Sequence, residues 1–284
     1  MSIRDSITIP KNKKICDYEE SDLLLAIRFS KLGTNFDIAK KLLESYGNIN
    51  KVDKNECTLL ITSLFLDEEY INTNIIKLII EKGANINNSN HEIMHFINKL
   101  ENEEFLSNKL KKALVHCIDG IHTNYIPLII ASSTDIVEFL LEKGANINEQ
   151  NEFKKTFLIK NVEYGNIEYV KIALREKADV DITSNYDRTA LSYAVEYGNH
   201  EIIKLLLDSG SNMYFKKRHQ SPFEEALYKN IEIAKLFFMK GAKIEMLENN
   251  GINILEKYIK ENNFGMVELL IIVFPEFFGV FLIF

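Results

Sequence analysis

Doublets of apolar residues return along the chain at a nearly constant interval: Ile38-Ala39, Ile75-Ile76, Ile136-Val137, Tyr169-Val170, Ile202-Ile203, Ile233-Ala234 and Met266-Val267. Leucine pairs follow three or four residues later at Leu140-Leu141, Leu205-Leu206 and Leu269-Leu270. Apolar positions at that spacing share one face of a helix. Many of these stretches end on one polar phrase. It reads Gly83-Ala84-Asn85-Ile86-Asn87 and Gly144-Ala145-Asn146-Ile147-Asn148 in full. Altered copies stand at Lys177-Ala178-Asp179-Val180-Asp181, Gly210-Ser211-Asn212-Met213-Tyr214 and Gly241-Ala242-Lys243-Ile244-Glu245, and a shorter one at Gly47-Asn48-Ile49-Asn50. A first helix is expected ahead of each second one, beginning near Ser21, Thr58, Glu92, Ile126, Thr156, Thr189, Ser221 and Asn253.

The phrase ends at positions 50, 87, 148, 181, 214 and 245, so its gaps are 37, 61, 33, 33 and 31. The gap of 61 is close to two units. It suggests a decayed copy near residue 118 and a third repeat whose second helix runs over Leu106 to Leu114. A unit repeated at this period stacks on its neighbours to bury a continuous core. After Asp181 come Thr189-Ala190-Leu191-Ser192-Tyr193-Ala194, Tyr197-Gly198-Asn199 and Glu201-Ile202-Ile203-Lys204-Leu205-Leu206-Leu207. This closely resembles the ankyrin pattern Thr-Pro-Leu-His-x-Ala, Gly-His/Asn, Glu-Ile-Val-x-x-Leu-Leu. The resemblance covers residues 21–273. It implies an all-α ankyrin-repeat solenoid of about eight helix-turn-helix repeats with short β-hairpin-like finger loops. Residues 1–20 form an N-terminal extension in this reading, and 274–284 an apolar tail.

Local chemistry agrees. Thr189 suits a helix N-cap, where its hydroxyl accepts from an unpaired backbone N–H. Pro127 and Pro222 fall just inside first helices, where a missing N–H costs nothing. Gly165 and Gly198 fit a left-handed turn between paired helices, and Gly83, Gly144, Gly210 and Gly241 end second helices likewise. The paired leucines point at neighbouring repeats, and truncating one to alanine is expected to cost ~2–5 kcal/mol. Repeat lengths differ, with extra residues around Ser30 to Asn35 and Asp67 to Asn74 and a deficit near Ser132 to Thr134. Such changes are expected in the turn between the paired helices.

Composition narrows the class. The chain has 284 residues, 46% of them hydrophobic, which is ample for a continuous core. No Gly/Ser/Pro-rich linker marks a second domain. A net charge of -7 argues against broad affinity for nucleic acid or anionic membrane. Cys16, Cys57 and Cys117 lack metal or redox spacing and read as reduced thiols of an intracellular, cytoplasmic protein, with the nucleus also open to it. Met1 to Lys14 has no apolar core of the signal-peptide kind. Leu269 to Phe284 is almost wholly apolar, but Pro275 and Glu276 interrupt it, and it is shorter than the roughly 20 residues of a membrane span. A membrane tether is the alternative this segment offers.

His91-Glu92-Ile93-Met94-His95 fits His-Glu-x-x-His, in which two histidines one turn apart hold zinc and the glutamate acts as base. Asn98 and Glu101 stand where the extended motif needs glycine and a further ligand. The segment also overlies the Thr-Pro-Leu-His start of a repeat, which places His95 at the family's structural histidine. No zinc, other metal or cofactor is therefore expected, and a zinc metallopeptidase through His91, Glu92 and His95 is the remote alternative. Lys216-Lys217-Arg218-His219 reads as a solvated finger tip, with contact to an acidic partner as the alternative. No Gly-rich phosphate loop or Ser/His/Asp arrangement stands out.

Ankyrin arrays bind through finger tips and the exposed face of the first helices. Carried over residue by residue, the resemblance marks Gln150, Glu152, Phe153, Lys155, Glu163 and Tyr164 in the fifth repeat. In the sixth it marks Thr183, Asn185, Tyr186, Arg188, Glu196 and Tyr197. The second repeat offers Val52, Lys54, Asn55 and Cys57, and the eighth Asn249, Asn250 and Ile252. Gly251 keeps the family's finger glycine, whereas Glu56, Lys154 and Asp187 replace it, so those tips are expected to differ in shape. Phe153, Tyr164, Tyr186 and Tyr197 weigh most, since aromatics with a polar handle are enriched at binding hot spots. The resemblance implies a non-catalytic adaptor, scaffold or inhibitor that binds a protein partner, not nucleic acid, and acts as a monomer.

Overall fold

The computed structural model describes residues 23–24, 26–27, 30–31, 35–51, 58–64, 72–87, 126–243 and 252–273. The regular elements among these residues are all helices. The chain divides into two compact units, Met1–Phe153 and Lys154–Phe284.

In the first unit α1 (Asn35–Ser45) is the second helix of its repeat. The pairs α2 (Leu59–Leu64) with α3 (Thr73–Glu81) and α4 (Pro127–Ile130) with α5 (Thr134–Glu142) follow. First helices stack on first helices, α2 on α4, and second on second, α1 on α3 and α3 on α5. Their inner faces are closed: Leu60, Ile75, Ile79, Ile136, Val137 and Leu140 are buried.

The second unit repeats the plan four times: α6 (Phe157–Glu163) with α7 (Ile167–Arg175), α8 (Ala190–Tyr197) with α9 (His200–Asp208), α10 (Pro222–Lys229) with α11 (Ile231–Met239), and α12 (Ile252–Lys260) with α13 (Phe264–Val273). The layers are again α6–α8–α10 and α7–α9–α11–α13. Between them lie Phe157, Leu191, Leu206, Phe223 and Phe237, all buried. Phe223 stacks on Phe237 at 5.8 Å and meets Phe238 edge-on at 5.4 Å. Offset and edge-on pairs of this kind add to the burial gain.

Caps explain where the first helices start. Thr156 accepts from the N–H of Ile159, and Thr189 from that of Ser192. Ser221 and Glu224 form a reciprocal capping box, followed at once by Pro222. Gly198, at φ +70°, turns α8 into α9 through the left-handed region. Lys177 occupies that region at φ +58° where its sister repeats have glycine.

The recurring phrase does more than stop a helix. Its third residue folds the backbone locally: Asn85, Asn146, Asp179 and Asn212 each accept from the N–H two residues on. Its fifth residue reaches the next repeat. Asn50 Oδ1 accepts from Asn85 N at 2.7 Å, and Asp181 Oδ1 from Asn212 N at 2.8 Å. Tyr214, standing in for Asn or Asp, accepts from Lys243 N through its hydroxyl at 2.6 Å. In the first unit Asn87 Oδ1 accepts from Asn146 N at 3.1 Å across a sequence separation of 59. The helices agree, because α2–α3 lies directly against α4–α5. The expected third repeat, from Glu92 to Leu114, falls outside the described residues. The repeats flanking it in sequence are stacked on each other.

Two expectations need correction. Only one leucine of each pair is fully buried, namely Leu140, Leu206 and Leu270. Leu141, Leu205 and Leu269 lie half-buried at the flank, because adjacent helical positions diverge by about 100°. The deficit in the fourth repeat is taken from the first helix itself, since α4 has one turn where α8 has two. Lys154 and Asp187 adopt φ of +54° and +57°. Both therefore hold a left-handed finger turn without glycine.

Candidate functional site

The exposed face of the second unit is organised by the residue just before each cap. Thr156 and Thr189 fix the entry into α6 and α8, and so aim Lys155 and Arg188 along them. Each cation then meets an acid near the end of its helix. Lys155 Nζ lies 2.6 and 2.9 Å from the carboxylate of Glu163, and Arg188 Nη2 is 3.4 Å from Glu196. Burial alone lowers the Lys155 pKa, but the hydrogen bond and charge of Glu163 outweigh it and raise it.

Arg188 is the hub. Its Nη2 also donates to Glu225 of α10 at 2.8 Å and to the Ser192 carbonyl at 3.2 Å. Its guanidinium lies 5.5 Å from the centre of the Tyr193 ring, and Lys155 Nζ 5.6 Å from the same ring. The Tyr193 hydroxyl shares a hydrogen bond with Ser184 Oγ at 3.1 Å, which anchors the finger. That finger closes in hairpin fashion, with Ser184 N donating to Arg188 O. The Arg188 and Glu225 side chains are 16% and 22% exposed, so this pair is screened less than a surface pair. Burial pushes the Glu225 pKa up and Arg188 opposes it, leaving the net shift upward.

The structure sorts the predicted site residues into three groups. Lys155, Glu163 and Arg188 are bound up in the ion pairs just described. Tyr164, Tyr186 and Tyr197 are 53%, 55% and 54% exposed, and Asn185 and Glu196 are exposed with them. Tyr164 caps the end of α6 and Tyr197 ends α8, so both occupy the same register one repeat apart. Burial raises the Tyr197 pKa, and the Glu163 and Glu196 carboxylates raise it further. Thr183 is half-buried. Gln150, Glu152 and Phe153 belong to the first unit and are half-buried there. Val52, Lys54, Asn55, Cys57, Asn249 and Asn250 lie outside the described residues.

The basic cluster is not simply solvated. Lys217 Nζ pairs with Asp187 Oδ1 at 2.6 Å, and Arg218 Nε with Asp187 Oδ2 at 2.9 Å. Lys216 Nζ reaches Glu224 at 3.4 Å. The hydrogen bond from Lys217 holds the Asp187 carboxyl below its ordinary pKa. Tyr193, Glu225 and Asp187 were missed as organisers of this face. One signal was legible: Lys155/Glu163 and Arg188/Glu196 are the same cation–acid pair displaced by one repeat.

Among the described residues no three His, Cys, Asp or Glu side chains gather as a metal site. His91, Glu92 and His95 lie outside them. No helix among them is long and apolar enough to cross a membrane. The residues 274–284 of the apolar tail are likewise outside.

Helix pairs stacked in two layers, joined by finger turns and by side chains that reach from one turn to the next, define a repeat protein whose working surface is composite. The family model for ankyrin repeats (3 copies) matches residues 128–217. An ankyrin repeat protein of Acanthamoeba polyphaga mimivirus is 35% identical over 21% of this chain and 41% of its own length. One from Fowlpox virus (strain NVSL) is 26% identical over 50% of this chain and 34% of its own. The chain thus spans less than half the length of these curated relatives. A crystal structure of an ankyrin repeat domain from Acinetobacter baumannii AYE superposes with a TM-score of 0.60, covering 79% of this chain and 100% of that one, at 22% identity. Residues 128–217 are thus ankyrin repeats, and the chain has the ankyrin-repeat fold. Ankyrin repeats are generally protein–protein interaction modules, and the family is typically non-enzymatic.

Proposed function

We propose that this chain recognises a protein partner without catalysis, as an adaptor, scaffold or inhibitor inside the cell. The contact face is that of the second unit, formed by Tyr164 and Tyr197 at the ends of α6 and α8 and by Tyr186 on the finger. One observation supports this most. Three tyrosines stand more than half exposed on a frame whose neighbouring charges are paired internally. Aromatic rings that lose little conformational freedom on contact suit binding hot spots. Glu196 and Asn185 supply the polar rim.

The test replaces Tyr164, Tyr186 and Tyr197 together with alanine in the whole chain. Partners are identified by proximity labelling and then co-purified with each form. The expected result is loss of the co-purified partner with an unchanged circular dichroism spectrum. An unchanged partner list from the folded triple variant rules this face out.

A further inference from the structure

The sixth and seventh fingers carry charge in two depths. Asp187 and Glu224, the acids, have side chains only 9% and 12% exposed. The cations that pair with them stand further out: Lys216, Lys217 and Arg218 are 37%, 61% and 76% exposed. One carboxylate holds two of them, Lys217 on Oδ1 and Arg218 on Oδ2. This orients both cations and fixes their separation. His219 follows, exposed, and Tyr186 lies one residue before Asp187 with more than half its surface in solvent. The tip therefore shows solvent three cations and an aromatic ring, with its carboxylates tucked underneath. That is unusual in a chain with a net charge of -7. An ion pair with both partners equally exposed would present no net sign. Here the difference in depth gives the tip one.

We infer that the finger tips at 185–187 and 216–219 dock an acidic, carboxylate-rich segment of a protein partner, with Lys217 and Arg218 as its charge contacts and Tyr186 as its aromatic contact. The inference rests on the protein-recognition reading above and names the partner's chemistry. Asp187 acts as a positioning residue: it holds the two cations in place and makes no contact with the partner. Two oriented cations lose less freedom on binding than two mobile ones. The attraction is partly solvent-exposed and so weakens with salt.

The test measures fluorescence anisotropy of the whole chain with fluorescein-labelled octaglutamate, octaglutamine and a single-stranded octathymidylate. Octaglutamate is expected to bind in a salt-dependent way and octaglutamine not to. Reversing both charges, Lys217→Glu with Arg218→Glu, is expected to weaken octaglutamate by about tenfold, equivalent to about 1.4 kcal/mol. Tyr186→Ala is expected to weaken a labelled octapeptide of alternating glutamate and phenylalanine more than octaglutamate, because only that probe offers the ring an apolar partner; equal effects on the two peptides would remove Tyr186 from the assignment. The control is Lys204→Glu with Lys235→Glu, the same change in net charge on second helices, and it is expected to lose less than about twofold. Equal losses in the two double variants, absence of octaglutamate binding, or tighter binding of octathymidylate would each overturn the assignment. The recognition reading stands apart from these outcomes, because the tyrosine triple variant tests it with the natural partner.

Discussion

Arg188→Ala removes one side chain and leaves several others without their partner. Glu225 loses its 2.8 Å contact, Glu196 its 3.4 Å contact, the Ser192 carbonyl a donor, and the Tyr193 ring its covering cation. Exposed ion pairs are worth about 0–1 kcal/mol, and breaking a buried one costs about 3–5 kcal/mol. With side chains 16% and 22% exposed, the Arg188–Glu225 pair lies between these limits. The substitution is therefore expected to cost about 2 kcal/mol at neutral pH. Urea unfolding at several pH values provides the assay, with amide exchange in α8 and α10 as a local readout. The folded-state pKa of Glu225 is already above its unfolded value, mainly through burial. Without Arg188 it rises further. A carboxyl raised in this way favours the fold fully below the ordinary glutamate range of about 4.3 and loses that contribution as pH rises through the raised value. The deficit of the variant is thus largest at neutral pH and shrinks on acidification. Adding Glu225→Gln to Arg188→Ala is expected to recover part of the loss at neutral pH, because it removes the stranded charge. A cost under about 0.5 kcal/mol, or one that does not change with pH, refutes this account of the hub.

Two further outcomes follow from the backbone. Lys177→Gly places glycine at φ +58° and is expected to raise stability by about 0.5–1 kcal/mol, read as a higher urea midpoint at unchanged slope. A lower midpoint would show that the lysine side chain contributes more than its backbone strain costs. Replacing residues 91–122 with a short Gly/Ser linker shortens the chain between Asn87 and Asn146, now 59 apart. If those residues only connect the two repeats, closure entropy varies with the logarithm of their length, and halving it changes stability by only about 0.6 kcal/mol. A loss of several kcal/mol in the unfolding of the first unit would mean that the excised residues are part of its stack.

The helices were legible because their signals are local and repeated. Thr156, Thr189 and Ser221 cap where their hydroxyls and the apolar periodicity agree, and Pro127 and Pro222 follow a cap immediately. The gap of 61 is bridged directly, although the expected third repeat within it lies outside the described residues. Sequence spacing measures chain length, whereas stacking is decided by which faces meet, and Asn87 meets Asn146. The left-handed turns at Lys154 and Asp187 carried no glycine signal, since glycine is the commonest but not the required residue at positive φ. On the candidate face the tyrosines followed from register alone. The pairing of Arg188 with Glu225 did not, because it joins residues on different repeats, and no periodic rule says which neighbour an arginine will select. The fate of Lys217 and Arg218 depended in the same way on Asp187, an acid from the preceding finger.

The rungs that link one phrase to the next have a mechanical meaning. Asp181–Asn212 and Tyr214–Lys243 each tie two successive turns by a single exposed side-chain acceptor and a single backbone donor. A hydrogen bond of this kind is worth about 1 kcal/mol net. Repeated in series, such links behave as a chain of weak, equal couplings beside a stiff apolar stack. A load applied across the fingers would be shared step by step along the unit, and each step gives a little before the core does. The turns beside Tyr164, Tyr186 and Tyr197 would therefore yield by small increments while the helices stay packed.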